Sequence, residues 1–227
     1  DHRDLHSFPT RRSSDLTIGG NAFAASQPYF KTDMHALLSW YKLQLAKAGV
    51  PVRYGREANH DNVAAWKPDR IIWAAGGAPI MPKSISGLDG YSVYSATDAL
   101  RNLVDVGERI VMVGGGMVGC ECVEFLTERE HIVDMVEMKP VIGEDIVPEA
   151  RKYIMANLEK HKVTQRVNAR VKQFYADGVD YVDTVTGEEA SMRGYDSVVL
   201  AMGYKSNNTL EEKLKDLAPQ VIVIGEA

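Results

Sequence analysis

The chain has 227 residues, 45% hydrophobic and 25% charged, with 26 Lys and Arg against 31 Asp and Glu and two cysteines. These values exclude a disordered polyelectrolyte, a collagen-like fibre and a disulfide-stapled mini-protein. The net charge of -5 offers no basic excess for neutralising phosphates, and no apolar run approaches the roughly 20 residues that cross a bilayer; neither nucleic acid nor a membrane is an expected partner, and a soluble, cytoplasmic chain is expected.

The first segment, Asp1–Leu16, carries no hydrophobic period and no continuous apolar stretch of a signal peptide. It reads, codon for codon, as the translation of a common short-read sequencing adapter, so it is set aside as a non-native tail. The natural protein is then expected to begin further upstream. From Asp33 to Ala48 the apolar positions Leu37, Leu38, Tyr41, Leu45 and Ala48 recur at helical steps, which predicts a helix with one buried face, started by Thr32 or Asp33 and ended by Gly49. A short strand at Val52–Tyr54, a short helix from Asp61 and an apolar strand at Arg70–Ala74 follow. This alternation predicts a parallel sheet.

Ala75 to Asp89, with Gly90 after it, is rich in Gly and Pro and reads as a linker, after which Ser95 or Thr97 caps a helix. The pattern restarts with a strand at Arg109–Val113, a glycine turn, a helix from about Met117 to Arg129 and a strand at Ile132–Val136. Pro148 suits the first turn of a helix to about Lys160, with a strand near Val163–Val167. Turn signals at Asp177-Gly178 and Thr186-Gly187 divide Arg170–Arg193 into an antiparallel meander. A buried strand at Ser197–Met202, a polar helix near Thr209–Leu217 and a strand at Val221–Ile224 complete the chain.

Gly114, Gly115, Gly116, Met117, Val118 and Gly119 fit G-x-G-x-x-G between a strand and a helix. Gly114 permits the tight turn, Gly116 lets the backbone approach a pyrophosphate, and Gly119 lets helix and strand pack closely. The helix start then presents unpaired N–H groups to the phosphates. Glu137 ends the next strand, 21 residues after Gly116, where a carboxylate meets an adenosine ribose hydroxyl. A carboxylate about 4 Å from a 2′-phosphate repels it by about 4 kcal/mol per charge pair at an effective dielectric near 20, so NADH is expected over NADPH, with Lys139 softening the preference.

Other constellations point to packing. Cys120 and Cys122 project about 200° apart on a helix, too divergent for a disulfide or a shared metal, so packed thiols are expected. His35, His60, His131 and His161 lack metal-ligand spacing, and no metal site is expected. Trp40, Tyr41 and Trp66 are expected in a core rather than against a flavin. Glu124, three residues after Glu121, is expected to be solvated or structural. No residue has the look of a general acid or nucleophile, as suits chemistry carried by a cofactor.

The chain resembles the C-terminal half of the NADH:flavin oxidoreductases of the 2,4-dienoyl-CoA reductase and trimethylamine dehydrogenase type. The resemblance is carried by Ile18-Gly19-Gly20-Asn21, by Lys31 to Val52 with Trp40-Tyr41, by Ile71 to Gly87, by Gly107 to Phe125 and by Val199 to Asn208. It implies a mixed α/β fold in which a Rossmann-like NAD-binding domain (residues 104–202) is inserted into an incomplete FAD-binding domain (17–103 and 203–227). It also implies FAD contacts by Gly20, Asn21, Ala58, Ala75, Gly76 and Glu226, backbone contact at Gly203, and a place for Glu121 facing the nicotinamide. FMN and a [4Fe–4S] centre are expected only in an N-terminal barrel outside this chain, which would reduce an enoate-like substrate; the fragment alone is expected to be inactive. The chain has Ala75 where the family usually has Thr, and Gly225-Glu226 where it has Gly-Asp. The alternatives are a stand-alone FAD-dependent NADH oxidase or disulfide-reductase-like enzyme, and a non-catalytic NAD-binding module.

Overall fold

The computed structural model describes residues 17–226, and the adapter-like reading of Asp1–Leu16 lies outside them. The elements begin with α1 (Gly20–Ala25), α2 (Thr32–Lys47), α3 (His60–Ala64), β1 (Arg70–Trp73), β2 (Gly77–Pro79), β3 (Val93–Ser95), α4 (Ala96–Leu100), β4 (Arg109–Val113), α5 (Met117–Thr127) and β5 (Ile132–Val136). They continue with α6 (Pro148–Lys160), β6 (Gln165–Arg166), β7 (Ala169–Tyr175), β8 (Gly178–Asp183), β9 (Glu189–Met192), β10 (Ser197–Leu200), β11 (Tyr204–Ser206), α7 (Glu211–Leu214) and β12 (Gln220–Val223). Two units form, one from residues 24–31 and 79–203, the other from the remaining described residues.

The larger unit is built on a parallel sheet in the order β3-β10-β4-β5-β6. Strand β4 is apolar from Ile110 to Val113 because both of its faces are covered. Ile110 and Met112 join Val123, Phe125 and Leu126 of α5 and Leu158 of α6 in one core. Val111 and Val113 point the other way, into a second core with Phe174 and Val179 of the antiparallel meander β7-β8-β9. The period of two residues along a strand thus sorts one hydrophobic run into two cores. The Ser95 side chain accepts from the Asp98 N–H at 3.1 Å and caps α4, as its position predicts. Because β3 pairs with β10 and α4 packs on α5, residues 79–103 fall in this unit.

In the smaller unit β1 pairs in parallel with β12, and Ile71, Leu214 and Ala218 form a small core with Val63 and Trp73 around them. Three expectations fail here. Helix α2 forms but buries none of its residues, and Leu37 and Tyr41 stay exposed. Trp40, Tyr41 and Trp66 are likewise exposed; Trp40 meets Tyr41 edge to face, and Arg53 lies over the Trp66 ring. Val52–Tyr54 forms no strand, because Pro51 and Gly55 bracket it and β1 pairs with β12 instead. The polar helix near Thr209–Leu217 shrinks to the single turn of α7.

Among the described residues no helix is long and apolar enough to cross a membrane, and no group of three or more His, Cys, Asp or Glu is placed to hold a metal.

Candidate functional site

Strand β4 delivers the glycine turn to the carboxyl end of the sheet, where the chain leaves to pair β5 on one side and β10 lies on the other. Such a switch between neighbours opens a crevice beyond the strand ends, the usual ligand position in a parallel sheet. Two glycines there are required by sterics. Gly114 has φ +105°, and a Cβ on it would sit 2.4 Å from the Ala201 carbonyl oxygen of the segment following β10. A Cβ on Gly119 would sit 2.0 Å from the Gly114 carbonyl oxygen. The helix start is therefore drawn against the turn, as close packing of a dinucleotide-binding helix requires.

The sequence places Glu137 at the end of β5, and the structure brings its carboxylate to the turn. Oε2 accepts from the Gly115 N–H at 2.5 Å and Oε1 from the Lys139 N–H at 2.7 Å. Each oxygen keeps a lone-pair direction for a further donor such as a ribose hydroxyl. Lys139 turns away: its Nζ meets Glu144 Oε2 at 2.6 Å, a hydrogen bond that raises the amine above its ordinary value.

Residues beyond the motif complete the turn. Both oxygens of Asp145 accept from the Met117 N–H at 3.1 Å. The Gly143 N–H donates to the Gly115 carbonyl at 2.6 Å, and a Cβ on Gly115 would meet Ile142 Cδ1 at 2.4 Å. The loop between β5 and α6 thus lies on the glycine turn and fills its first helical donor with a carboxylate. Sequence reading missed Asp145 and Ile142, whose one local signal was the acid shortly before Pro148. It also missed Lys31, which pairs with Glu121 of α5 at 2.5 Å across 90 residues of sequence. The turn, the helix start and the Glu137 carboxylate fit the adenosine and diphosphate of a dinucleotide, with the Asp145 carboxylate standing at one of the anion's donors.

Cys120 and Cys122 are fully buried free thiols, both pushed up to about 12 by burial, as packed side chains should be. Glu124 is buried and accepts from Asn157 Nδ2 at 2.5 Å, which makes it structural, one of the two places expected for it. Gly203, φ +91°, follows β10 at the same end of the sheet, and its carbonyl accepts from the Ile80 N–H at 2.9 Å.

In the smaller unit, Ala75 and Gly76 follow β1, and Gly225-Glu226 follow β12, so both pairs lie beyond the carboxyl ends of parallel strands. Gly20 opens α1 with φ +50°. Asn21 Nδ2 donates to the Gly77 carbonyl at 2.9 Å, and a Cβ on Gly77 would lie 3.6 Å from Glu226 Oε2. Asn21, Gly77 and Glu226 come together, and Ala58 lies in the loop before α3.

Residues 26–219 match the model of the pyridine nucleotide-disulphide oxidoreductase family. The chain is 34% identical over 215 residues to an NADH oxidase of Thermoanaerobacter brockii, covering 92% of this chain and 33% of that protein. It is 30% identical over 213 residues to a cinnamate reductase of Clostridium sporogenes, covering 92% and 31%. A solved 2-naphthoyl-CoA reductase superposes with a TM-score of 0.86 at 26% identity, covering 94% of this chain and 32% of that one. The chain spans about a third of the length of the curated relatives it matches. With its mixed α/β architecture and glycine turn, the chain belongs to the pyridine nucleotide-disulphide oxidoreductase family.

Proposed function

We propose that this chain is the NADH- and FAD-binding part of a longer NADH:flavin oxidoreductase, in which reducing equivalents pass from NADH to FAD and on to an FMN and [4Fe–4S] barrel that reduces an enoate-like or related substrate. The observation that carries the proposal is the turn Val113–Met117, where Gly114 and Gly119 leave no room for a Cβ and Glu137 stands at the edge. Relatives about three times as long, among them a cinnamate reductase, support a larger parent enzyme. When bound, the two dinucleotides supply hydride-transfer chemistry; the protein supplies binding and orientation.

On this proposal the residues divide the work. The N–H groups at the start of α5 hold the diphosphate. Glu137 accepts from the adenosine ribose, and Glu144 keeps the Lys139 ammonium from a 2′-phosphate, which favours NADH. Lys31 fixes the Glu121 carboxylate for the nicotinamide end. Gly20, Asn21, Ala58, Ala75, Gly76, Gly203 and Glu226 are assigned to FAD. The alternative of a disulfide-reductase-like enzyme turns on sequence upstream of residue 17, where a redox cysteine pair after the first glycine motif would favour it. Calorimetric titration of the folded chain with NADH is the test: one site with weaker NADPH binding supports the proposal, and no heat with either coenzyme sinks it.

A further inference from the structure

The start of α5 faces more carboxylates than cations. Glu137 fills the Gly115 N–H at 2.5 Å and Asp145 the Met117 N–H at 3.1 Å, so the donors on either side of Gly116 already hold a negative group. A Cβ on Gly116 would stand 3.1 and 3.4 Å from the two Asp145 oxygens. Any phosphate that approaches the backbone at Gly116 therefore comes alongside that carboxylate. Glu121 of α5 adds a further negative charge at this end of the helix, and Lys31 is engaged with it. Lys139 is held by Glu144, and Arg151 of α6 reaches the same end but turns its Nε to the Ile142 carbonyl at 2.9 Å.

The backbone around Asp145 is fixed. Ile142 and Ile146 are buried in the core that α5 and α6 share. The Gly143 N–H donates to the Gly115 carbonyl at 2.6 Å, and the Ile146 N–H to the Gly143 carbonyl at 3.1 Å. Asp145 can move away only by rotating its own side chain, which gives up the Met117 N–H. A helix N-terminus supplies the equivalent of roughly half a positive charge. One carboxylate at the same place outweighs it, so each extra negative charge on a ligand there is repelled on balance. The two phosphates of a dinucleotide are diesters with a single charge each, whereas a nucleotide that ends in a phosphate carries nearly twice that on its outer group at neutral pH.

We propose that Asp145 is a specificity-determining residue of the coenzyme site: it admits a diphosphate esterified at both ends, as in NADH, and turns away nucleotides that end in a doubly charged phosphate, such as ADP. The inference rests on the assignment of this turn to NADH and adds a selection that the glycine spacing does not contain. Its consequence is that a mononucleotide with the same adenosine and the same two phosphates does not take the place of the coenzyme.

The test compares ADP with ADP-ribose, which share the adenosine and both phosphates and differ in whether the outer phosphate is esterified. Each is read by its displacement of NADH from the full chain, so binding at any other position does not count. At pH 8 ADP-ribose is expected to bind several-fold more tightly than ADP. Asp145→Asn, which keeps an oxygen for the Met117 N–H, should help both ligands and close most of the gap between them. In the unaltered chain, lowering the pH to 5.5 protonates the outer phosphate of ADP, whose second ionisation lies at about pH 6, and should narrow the gap with no substitution at all. Added salt should narrow it too. Equal binding of ADP and ADP-ribose, a gap that Asp145→Asn leaves in place, or one that neither pH nor salt narrows overturns the inference while the NADH assignment stands. A folded chain that does not bind NADH overturns both.

Discussion

Asp145 and Met117 are 28 residues apart in sequence, yet both carboxylate oxygens of Asp145 stand 3.1 Å from the Met117 backbone nitrogen. The N-terminus of a helix favours an anion, and here the chain provides one of its own. A bound diphosphate would compete with that carboxylate for the same donor and be repelled by its charge. Asp145→Asn is therefore expected to lower the Kd for NADH several-fold, and Asp145→Ala to cost about 1 kcal/mol of stability as a lost cap. Calorimetry and denaturant titration measure the two effects. Unchanged or weakened NADH binding in the Asn variant would mean that Asp145 does not compete.

Coenzyme choice should respond to charge on either side of Lys139. Glu137→Ala removes both the ribose acceptor and the repulsion of a 2′-phosphate, so NADH affinity falls and the gap to NADPH narrows. Glu144→Gln releases the Lys139 ammonium from its 2.6 Å partner and should improve NADPH relative to NADH by several-fold, an effect that salt diminishes. Paired titrations with the two coenzymes decide this. A ratio untouched by both substitutions would refute the ribose assignment.

Gly119→Ala places a methyl 2.0 Å from the Gly114 carbonyl oxygen, and backbone on both sides must move. The expected cost is about 1–3 kcal/mol, together with loss of NADH binding. Gly90→Ala is the control, since nothing lies within 4 Å of its added methyl and it should be near neutral. Chemical denaturation of the two variants separates a steric requirement at Gly119 from a general intolerance of alanine.

The thiols of Cys120 and Cys122 need strong base to ionise, because burial pushes both up to about 12. Since the thiolate is the reactive form, both are expected to resist a disulfide reagent at pH 8 in the native chain and to react together once it is unfolded. Rapid labelling of either thiol under native conditions would contradict their packing.

The hydrophobic run Ile110–Val113, the glycine spacing after it and Glu137 at the end of β5 were legible in the sequence because each depends on local geometry. A strand buried on both faces has to be apolar throughout. A turn that brings a helix against its own strand has to contain glycine at set positions. Cap residues such as Ser95 and Pro148 were readable for the same reason, since their partners lie within one helical turn.

Helix α2 shows the limit of such reading. Its heptad-like spacing of Leu37, Tyr41 and Leu45 is genuine, but periodicity states only that one face is apolar and says nothing of what covers it. By itself the amino-acid order determined which segments become strands, turns and helices around the glycine motif, because those choices are settled by neighbours a few residues away. Only the tertiary structure decided that Asp145 fills the end of α5, that Lys31 pairs with Glu121 and that Glu124 is sealed against Asn157. These contacts join residues 28 to 90 positions apart, and their energies exist only once the sheet has brought the helices and loops together.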